Sequence, residues 1–415
     1  MLKDMKPQFL RFPGGCFVEG GSLRNAFRWH QTVLPWEERP GHFGDVWGYW
    51  TDDGLGFFEF FILAEDLNAA PIWVFNNGIS HTDEVSTSVI QPFIEDILNG
   101  IEFARGPVNS TWGSVRASMG HLEPFPLQYL AIGNEDCDKQ YYKGNYVKFY
   151  EAIKKSYPDI SIISNCDGSN KQLDHEADIY DYHIYTSASK LFSMTHQFDK
   201  TQRIGPKAFV SEYAVTGKDA GTGSLFAALA EASFLIGIEK NSDVVEMASY
   251  APLFVNSNDR RWNPDAIVFD SWRSYGTPSY WVQTLFKNSS GASLLPSFID
   301  GGNSPATFEA SALRRYDDES GLEYIDIKMV NFAISDALME LRLYGLSEDD
   351  MNEAATVRVL ASEHIMDENT FSQPQKVTPE FSIVHDMGTI MEINIPAQSF
   401  TVIEFQLITP LHQQM

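Results

Sequence analysis

The sequence predicts an α/β protein in which a parallel sheet with crossover helices is followed by an all-β sandwich. From residue 8 to residue 286, short apolar strands alternate with segments whose apolar residues recur at helical spacing, which is the pattern of βα units. After residue 289 the segments are short, alternating and rich in β-branched residues, with no strong helix between them. The predicted domains are therefore residues 1–288, the α/β domain, and residues 289–415, the antiparallel sandwich.

Each predicted strand of the first domain is a short apolar run bounded by polar or turn residues, and these strands cover residues 8–12, 71–75, 127–132, 160–164, 179–185, 208–212 and 245–252. Apolar residues three and four positions apart predict helices over residues 56–67, 89–104, 141–156, 224–239 and 278–286. In the second domain, alternation predicts strands over residues 324–331, 338–343, 355–360, 381–384, 389–395 and 401–406. Residues 19–50, rich in Trp, Pro and Gly, are expected to form a long irregular loop, and such loops usually carry function.

The charge of the chain excludes two classes of partner. Thirty Lys and Arg residues against 56 Asp and Glu give a net charge of −26, which repels nucleic acid and anionic membranes but not a neutral sugar. No run approaches the roughly 20 apolar residues that span a bilayer. Charges at Lys3, Asp4 and Lys6 stand where a signal peptide has its apolar core, so a genuine N-terminus here predicts a cytoplasmic protein. Nine Trp residues indicate either sugar-stacking platforms or a well-filled core.

Three cysteines, Cys16, Cys137 and Cys166, are too few for a disulfide scaffold, and their spacing does not predict structural zinc. Cys16 follows Pro-Gly-Gly, but nothing in the sequence identifies a His partner for a cysteine nucleophile. Gly14 and Gly15 lack the Lys and Ser or Thr of a phosphate-binding loop. The sequence therefore predicts neither a cofactor nor a metal.

Two predicted strands end in a glutamate. Residues 127–132 run into Gly-Asn-Glu, ending at Glu135, and residues 208–212 end at Glu212. Because parallel strands present their carboxyl ends at one edge, we expect the two carboxylates to face each other across one pocket. Such a pair suits glycoside hydrolysis, with retention of configuration at a separation of roughly 5 Å and inversion nearer 8 Å. The acid of the pair is expected to have a raised pKa. The alternative is that both are exposed loop carboxylates, as most glutamates are.

Further polar residues stand near these strand ends. Arg11 ends the first strand and either fixes substrate or a carboxylate, or forms a structural ion pair under the turn. Asn134 is placed to bond a substrate hydroxyl beside the reacting carbon. Period-two spacing puts Asp181, His183 and Tyr185 on one face of a strand, and from there His183 and Tyr185 are expected to flank Glu212 or bind sugar hydroxyls. The alternative is that His183 is a core histidine whose ring nitrogens are simply hydrogen-bonded within the protein.

Five motifs together resemble the plant-type α-L-arabinofuranosidases of glycoside hydrolase family 51, over nearly the whole chain. They are Arg-Phe-Pro-Gly-Gly-Cys-Phe-Val-Glu-Gly at residues 11–20, Trp-Glu-Glu-Arg-Pro-Gly-His-Phe-Gly at 36–44, Trp-Thr-Asp-Asp-Gly-Leu-Gly at 50–56, Ala-Ile-Gly-Asn-Glu at 131–135 and Val-Ser-Glu-Tyr at 210–213. The resemblance implies a (β/α)8 TIM barrel with an attached β-sandwich. It also implies a retaining, double-displacement enzyme that releases terminal non-reducing arabinofuranose from arabinoxylan or arabinan, outside the cell or in the cell wall.

The resemblance also implies roles for individual residues. Glu135 matches the general acid/base and Glu212 the nucleophile. Arg11 matches a residue that holds the nucleophile and the sugar. The remaining implied substrate-binding residues are Cys16, Asn134, His183 and Tyr185. The family also has a polar residue after its eighth strand, and both Asn263 and Asp265 are candidates to match it here.

One departure from the family pattern shapes the predicted barrel. In the family a first strand, carrying a substrate-binding Glu, precedes the Arg-Phe-Pro-Gly-Gly motif by several dozen residues, whereas here the motif starts at residue 11. The barrel is therefore expected to lack its first strand, and an upstream carbohydrate-binding module is also expected to be absent. Two rival hypotheses stand beside the arabinofuranosidase. One is a truncated, weakly active or inactive relative that binds glycan or protein, and the other is a related retaining glycosidase acting on another sugar.

Overall fold

The computed structural model describes residues 1–300, 307–385 and 388–408. Parts of the predicted sandwich, residues 301–306, 386–387 and 409–415, lie outside the described residues. No described helix is long and apolar enough to cross a membrane.

The first part of the chain is built on a seven-stranded sheet. The strands of this part are β1 (Phe9–Phe12), β2 (His42–Gly44), β3 (Tyr49–Thr51), β4 (Ala70–Phe75), β5 (Tyr129–Ile132), β6 (Ser161–Ser164), β7 (Ile179–Thr186), β8 (Lys207–Val215), β9 (Val245–Tyr250), β10 (Phe254–Asn256), β11 (Ile267–Phe269) and β12 (Ser274–Gly276). The large sheet has the order β1-β4-β5-β6-β7-β8-β9, and all its neighbouring pairs are parallel. This sheet confirms the predicted α/β fold of the barrel type. Among the described residues, the outer sides of β1 and β9 have no strand partner.

Helices separate most of these strands. They are α1 (Cys16–Glu19), α2 (Phe57–Asp66), α3 (Gln91–Arg105), α4 (Thr111–Ser118), α5 (Tyr142–Ser156), α6 (Ala188–Ser193), α7 (Leu225–Lys240) and α8 (Pro278–Phe286). The long helix α7 is started by Ser224, whose side chain accepts a hydrogen bond from the amide of Ala227. It is apolar on all sides and buried from Leu225 to Glu239, apart from Phe226. A helix of that composition is stable only inside the protein.

The core around the large sheet consists of separate clusters of buried side chains. One cluster consists mainly of small and branched side chains from the strands, among them Ile72, Val74, Ala131 and Ile163, together with Phe209. Larger clusters rich in aromatic residues fill the space between strands and helices.

The second part is an antiparallel sandwich, as predicted. Its strands are β13 (Ser293–Leu295), β14 (Phe308–Asp317), β15 (Leu322–Asn331), β16 (Ala337–Arg342), β17 (Met351–Leu360), β18 (Glu380–Val384), β19 (Ile390–Ile395) and β20 (Ser399–Leu407). A six-stranded sheet of order β13-β14-β15-β20-β17-β18 faces the pair β16-β19 across an apolar core. The predicted boundary at residues 288 and 289 falls between the end of α8 and the start of β13.

A buried ion pair joins the two parts. Glu239 of α7 accepts a hydrogen bond of 2.7 Å from Nζ of Lys328 on β15, and Lys328 is 1% exposed. The hydroxyls of Ser289 and Ser311 donate to the same carboxylate. The charge of Glu239 is therefore compensated from the sandwich side.

The region predicted as an irregular loop is more ordered than expected. It contains the hairpin of β2 and β3. Asp45 accepts hydrogen bonds from the amides of Gly21 and Ser22, and the buried guanidinium of Arg39 bonds the carboxylate of Glu59 at 2.7 Å. These long-range polar contacts hold the segment in place, although it contains no long helix or strand among the described residues. A local sequence pattern does not reveal such contacts.

Candidate active site

The predicted residues converge at the carboxyl ends of the parallel strands. Arg11 lies on β1, Asn134 and Glu135 directly follow β5, and Glu212 lies on β8. On β7, His183 and Tyr185 point to the same place, since each contacts one of the two glutamates. The structure thus brings the predicted pair and its predicted neighbours into one site.

Glu212 is held from two sides. Nη1 of Arg11 donates to its Oε1 at 2.9 Å, and the hydroxyl of Tyr185 donates to its Oε2 at 2.7 Å. The register of β8 shifts against both neighbouring strands around Ser211 and Glu212, so that an extra residue lies here. Such a bulge re-aims a side chain, which explains how a residue within a strand points into the site.

The turn over the guanidinium of Arg11 requires glycine. Gly14 has a φ of +70°, and a Cβ there would lie 3.0 Å from Nη1 of Arg11. The Pro-Gly-Gly turn therefore packs its backbone directly against the group that binds Glu212.

Glu135 stands on a tight turn. Its φ is +49°, in the left-handed region, and its side chain is 47% exposed. Below the turn, Asp136 is buried and accepts a hydrogen bond from Asn165. A disulfide between Cys137 and Cys166 ties this turn to the loop after β6, and the cysteine count did not predict this bond.

His183 links the two glutamates. Its Nδ1 lies 2.8 Å from Oε1 of Glu135 and 3.5 Å from Oε2 of Glu212, and its Nε2 lies 3.1 Å from Asp181. Burial lowers the pKa of this imidazole, but the charges of Asp181 and Glu212 outweigh burial and raise the pKa to about 10. His183 is therefore a cation at neutral pH.

This cation overturns one expectation. The hydrogen bond from His183, assisted by its charge, lowers the pKa of Glu135, although partial burial opposes the shift. A raised pKa, from partial burial and the like charge of the partner, was the prediction for the acid of the pair. For Glu135 in the ligand-free chain this prediction was wrong, because it did not include a cation between the two carboxylates.

A buried chain of polar contacts extends the site inward. Asn134 is fully buried, accepts from Nη2 of Arg11 at 3.0 Å and donates to Oε2 of Glu19 at 2.8 Å. Burial raises the pKa of Glu19 to about 8. Neither Glu19 nor Asp181 is among the site residues predicted from the sequence. Glu19 lies three positions after Cys16 in the motif at residues 11–20, and this position is the sequence signal that identifies it.

Cys16 is a free, partly buried thiol beside these carboxylates. Burial, with the negative charges of Glu19 and Glu135, raises its pKa to about 12. The thiol is therefore neutral at physiological pH, which argues against a cysteine nucleophile.

The site opens into a large cavity of about 1450 Å³, lined by Arg11, Cys16, Glu135, Tyr185 and Glu212. The same cavity continues along the gap between β1 and β9. Aromatic side chains stand at its rim, namely Trp47, Tyr49, Trp50 and Trp262. Of the two open candidates after β9, Asp265 is buried and lines the cavity, whereas Asn263 is exposed and accepts a hydrogen bond from Arg260.

Two groups of side chains in the described part of the chain have metal-ligand chemistry. One is Glu135, His183 and Glu212, whose ligand atoms lie within 4.8 Å of one another. Arg11 and Tyr185 already donate to the two oxygens of Glu212, and His183 bonds Glu135. The other is Cys16, Glu19 and His81, at the same mutual distance.

Two family models match the chain over most of its length. The "Alpha-L-arabinofuranosidase 1 domain" family model matches residues 1–203, and the "Alpha-L-arabinofuranosidase C-terminal domain" model matches residues 211–399. The chain is 65% identical to α-L-arabinofuranosidase 1 and 60% identical to α-L-arabinofuranosidase 2 of Arabidopsis thaliana, over 97% and 99% of its length. It spans 59% and 60% of those relatives.

A solved structure, an arabinose-bound α-L-arabinofuranosidase of family GH51, superposes with a TM-score of 0.88 at 30% identity. The match covers 98% of this chain and 65% of that one. Sequence and structure therefore agree over both parts of the chain, and the chain belongs to glycoside hydrolase family 51.

Proposed function

We propose that the chain is a retaining glycoside hydrolase that releases terminal non-reducing α-L-arabinofuranosyl residues from arabinoxylan or arabinan. One observation carries the proposal. Carboxylate oxygens of Glu135 and Glu212 lie within 4.8 Å of each other across one cavity. Retaining glycosidases hold their two carboxyl groups roughly 5 Å apart, whereas inverting enzymes leave room for a water between them.

In the proposed first step, Glu212 attacks the anomeric carbon while the bond to the leaving oxygen breaks. Glu135 gives its proton to that oxygen, and a covalent arabinosyl ester of Glu212 remains. In the second step Glu135 takes a proton from water, the water oxygen attacks the same carbon, and arabinose leaves. Two inversions give overall retention.

The neighbouring residues support the nucleophile. Arg11 and Tyr185 each bond one oxygen of Glu212, so the carboxylate is fixed before the sugar arrives. Asn134, anchored by Arg11 and Glu19, is proposed to contact the sugar hydroxyl next to the anomeric carbon. Cys16 is proposed to line the sugar pocket as a neutral thiol.

The proton on Glu135 needs its own explanation, since His183 holds this glutamate ionised in the free chain. We infer that the bound sugar separates Glu135 from His183 and removes water from around it. Both changes raise the pKa of a carboxyl group. His183 then remains beside Glu212 and Asp181, whose charges it balances.

The catalytic machinery favours this function over a truncated, non-catalytic relative. Both glutamates are present, and Glu212 keeps its two hydrogen-bond donors. The aromatic rim suits a polymeric substrate, since flat apolar rings pack against sugar faces.

We also propose that the protein acts outside the cell, because the disulfide between Cys137 and Cys166 persists only in an oxidising compartment.

The test is hydrolysis of 4-nitrophenyl α-L-arabinofuranoside by the purified 415-residue chain. We expect turnover that Glu212→Ala reduces by about 10³-fold or more, because the covalent step then has no nucleophile. Glu151→Ala, at an exposed helical glutamate, is the matched control and should keep full activity. A folded wild-type chain without turnover overturns the proposal. Faster turnover of another nitrophenyl glycoside favours the related glycosidase instead.

A further inference from the structure

A thiol, a carboxylate and an imidazole meet beside the catalytic pair. The ligand atoms of Cys16, Glu19 and His81 lie within 4.8 Å of one another, and Oε2 of Glu19 is 3.8 Å from Nε2 of His81. The proposed reaction uses neither Glu19 nor His81 on the substrate.

The backbone holds these three side chains in place. Cys16 and Glu19 begin and end the single turn of α1, three positions apart, so their side chains share one helix face. His81 comes from the loop after β4, and its amide donates to the carbonyl of Gly20 at 3.1 Å. The next amide, of Thr82, donates to the carbonyl of Gly21 at 3.0 Å. The third ligand is thus fixed to the end of the helix that carries the other two.

Within the described part of the chain, the carboxyl group of Glu19 has no cationic partner at close range. Glu19 is 2% exposed, and its hydrogen bond comes from the neutral amide of Asn134. Among the ion pairs of the described residues, its one partner is His81. The charges of Glu135, Asp136 and Glu212 lie close enough to act on it. A buried carboxylate in such surroundings favours a nearby cation.

We propose that Cys16, Glu19 and His81 bind a thiophilic divalent cation, with Zn²⁺ as the best fit, and that the bound ion blocks the sugar pocket. Zn²⁺ takes sulfur, nitrogen and oxygen ligands in a tetrahedron, and sites with three protein ligands leave the fourth position open. Ca²⁺ and Mg²⁺ prefer all-oxygen sites, so a thiol and an imidazole disfavour them. With Zn–S near 2.3 Å and Zn–N near 2.0 Å, the ligands need to close by about an ångström. On binding, the thiol proton of Cys16 and the proton of the Glu19 carboxyl group pass to solvent.

The blocking follows from the position of Cys16, which lines the same cavity as Glu135 and Glu212. An ion on its sulfur occupies space that the sugar needs. The ion is therefore an inhibitor and not a cofactor, and the prediction that catalysis needs no metal is unaffected. This consequence rests on the proposed function, whereas binding itself does not.

Binding is tested by titrating the full chain with Cd²⁺ and following the ultraviolet charge-transfer band of a Cd²⁺–thiolate bond. Cys16 is the one free cysteine of the three, so the band reports this site alone. We expect wild type to saturate at one Cd²⁺ per chain and Cys16→Ser to show no band. His81→Gln should bind about ten-fold or more weakly. His30→Gln, at another partly exposed histidine beside a carboxylate, should match wild type. No band in wild type, or equal affinity in His81→Gln, overturns the site.

Blocking is tested with Zn²⁺ during arabinofuranoside hydrolysis. We expect competitive inhibition that a chelator reverses, and about ten-fold lower sensitivity in His81→Gln, whose activity without zinc should equal that of wild type. Cadmium binding without zinc inhibition overturns the blocking and leaves the site standing. An inactive chain that still gives the cadmium band refutes the proposed function and supports the site.

Discussion

Arg11 and Glu212 are 201 positions apart, yet Nη1 of Arg11 lies 2.9 Å from Oε1 of Glu212. The other terminal nitrogen of the same guanidinium bonds Asn134, the residue before Glu135. One planar group therefore sets the distance between the two strand ends that carry the proposed catalytic pair.

Arg11→Lys tests this function of the guanidinium. An ammonium has no fixed fork and cannot hold both partners in one geometry. We expect kcat to fall by about ten- to a hundred-fold with a smaller change in KM, in line with a charged hydrogen bond worth about 1.5–3 kcal/mol. Steady-state kinetics with Arg24→Lys, at an exposed arginine, provide the control. An unchanged kcat would mean that Glu212 does not need the fixed planar geometry of a guanidinium.

Glu135→Ala separates acid catalysis from nucleophilic attack. A dinitrophenyl leaving group departs without a proton, whereas the sugar oxygen of arabinan does not. We expect a small loss of the first step with the activated substrate and a loss of about 10²–10⁴-fold with arabinan. The two substrates are compared by single-turnover and steady-state rates. Equal losses on both would count against the acid role of Glu135.

The disulfide should matter for both stability and chemistry. Cys137 and Cys166 close a loop with a sequence separation of 29, and Glu135 lies two residues before the bond on a left-handed turn. The double substitution Cys137→Ser and Cys166→Ser should cost about 3–4 kcal/mol of stability, measured by urea unfolding. It should also lower kcat more than it raises KM, since the turn holding Glu135 loosens. Unchanged unfolding and kinetics would show that the bond is dispensable.

Lys328→Met tests the ion pair between the two parts of the chain. It leaves Glu239 buried with only the hydroxyls of Ser289 and Ser311. Breaking a buried pair from one side costs about 3–5 kcal/mol, whereas replacing both partners costs much less. We therefore expect the double variant Lys328→Met, Glu239→Gln to recover most of the lost stability. A double variant as unstable as the single one would refute the charge argument.

Three buried carboxyl groups should make stability fall as pH rises from 5 to 8. Burial raises the pKa of Glu19 to about 8, and those of Asp136 and Glu231 to about 7, above their ordinary values. The folded chain then holds these protons more tightly than the unfolded chain. The contribution of these three groups is complete below about pH 4 and is lost between there and their raised pKa values, by about 1.4 kcal/mol per pH unit for each proton. Urea unfolding from pH 5 to 8 measures the slope. Glu231→Gln should make the slope of unfolding free energy against pH smaller, whereas Glu151→Gln should leave it unchanged. Equal slopes in the two variants would contradict the raised pKa of Glu231.

Periodicity and strand ends account for what the sequence could predict. Parallel strands that end in polar residues place Arg11, Glu135 and Glu212 at one edge of a sheet. Period two places Asp181, His183 and Tyr185 on one face of β7, and all three side chains do contact the site. Both relations need only local sequence and the geometry of a sheet.

Features that depend on distant partners could not be predicted. The bulge at Ser211 arises from the register of two neighbouring strands, and the disulfide needs two loops to meet. The lowered pKa of Glu135 comes from His183, which lies 48 positions away. Burial of Glu19 likewise depends on how the first motif folds over Asn134.

Helix α7 has a consequence for how the molecule unfolds. It is buried among the barrel strands on one side and contacts β14 and β15 of the sandwich on the other. Neither part can separate without exposing this apolar helix and the charge of Glu239 to water. The sequence pattern predicts two domains. We nevertheless expect the chain to unfold cooperatively, in a single calorimetric transition.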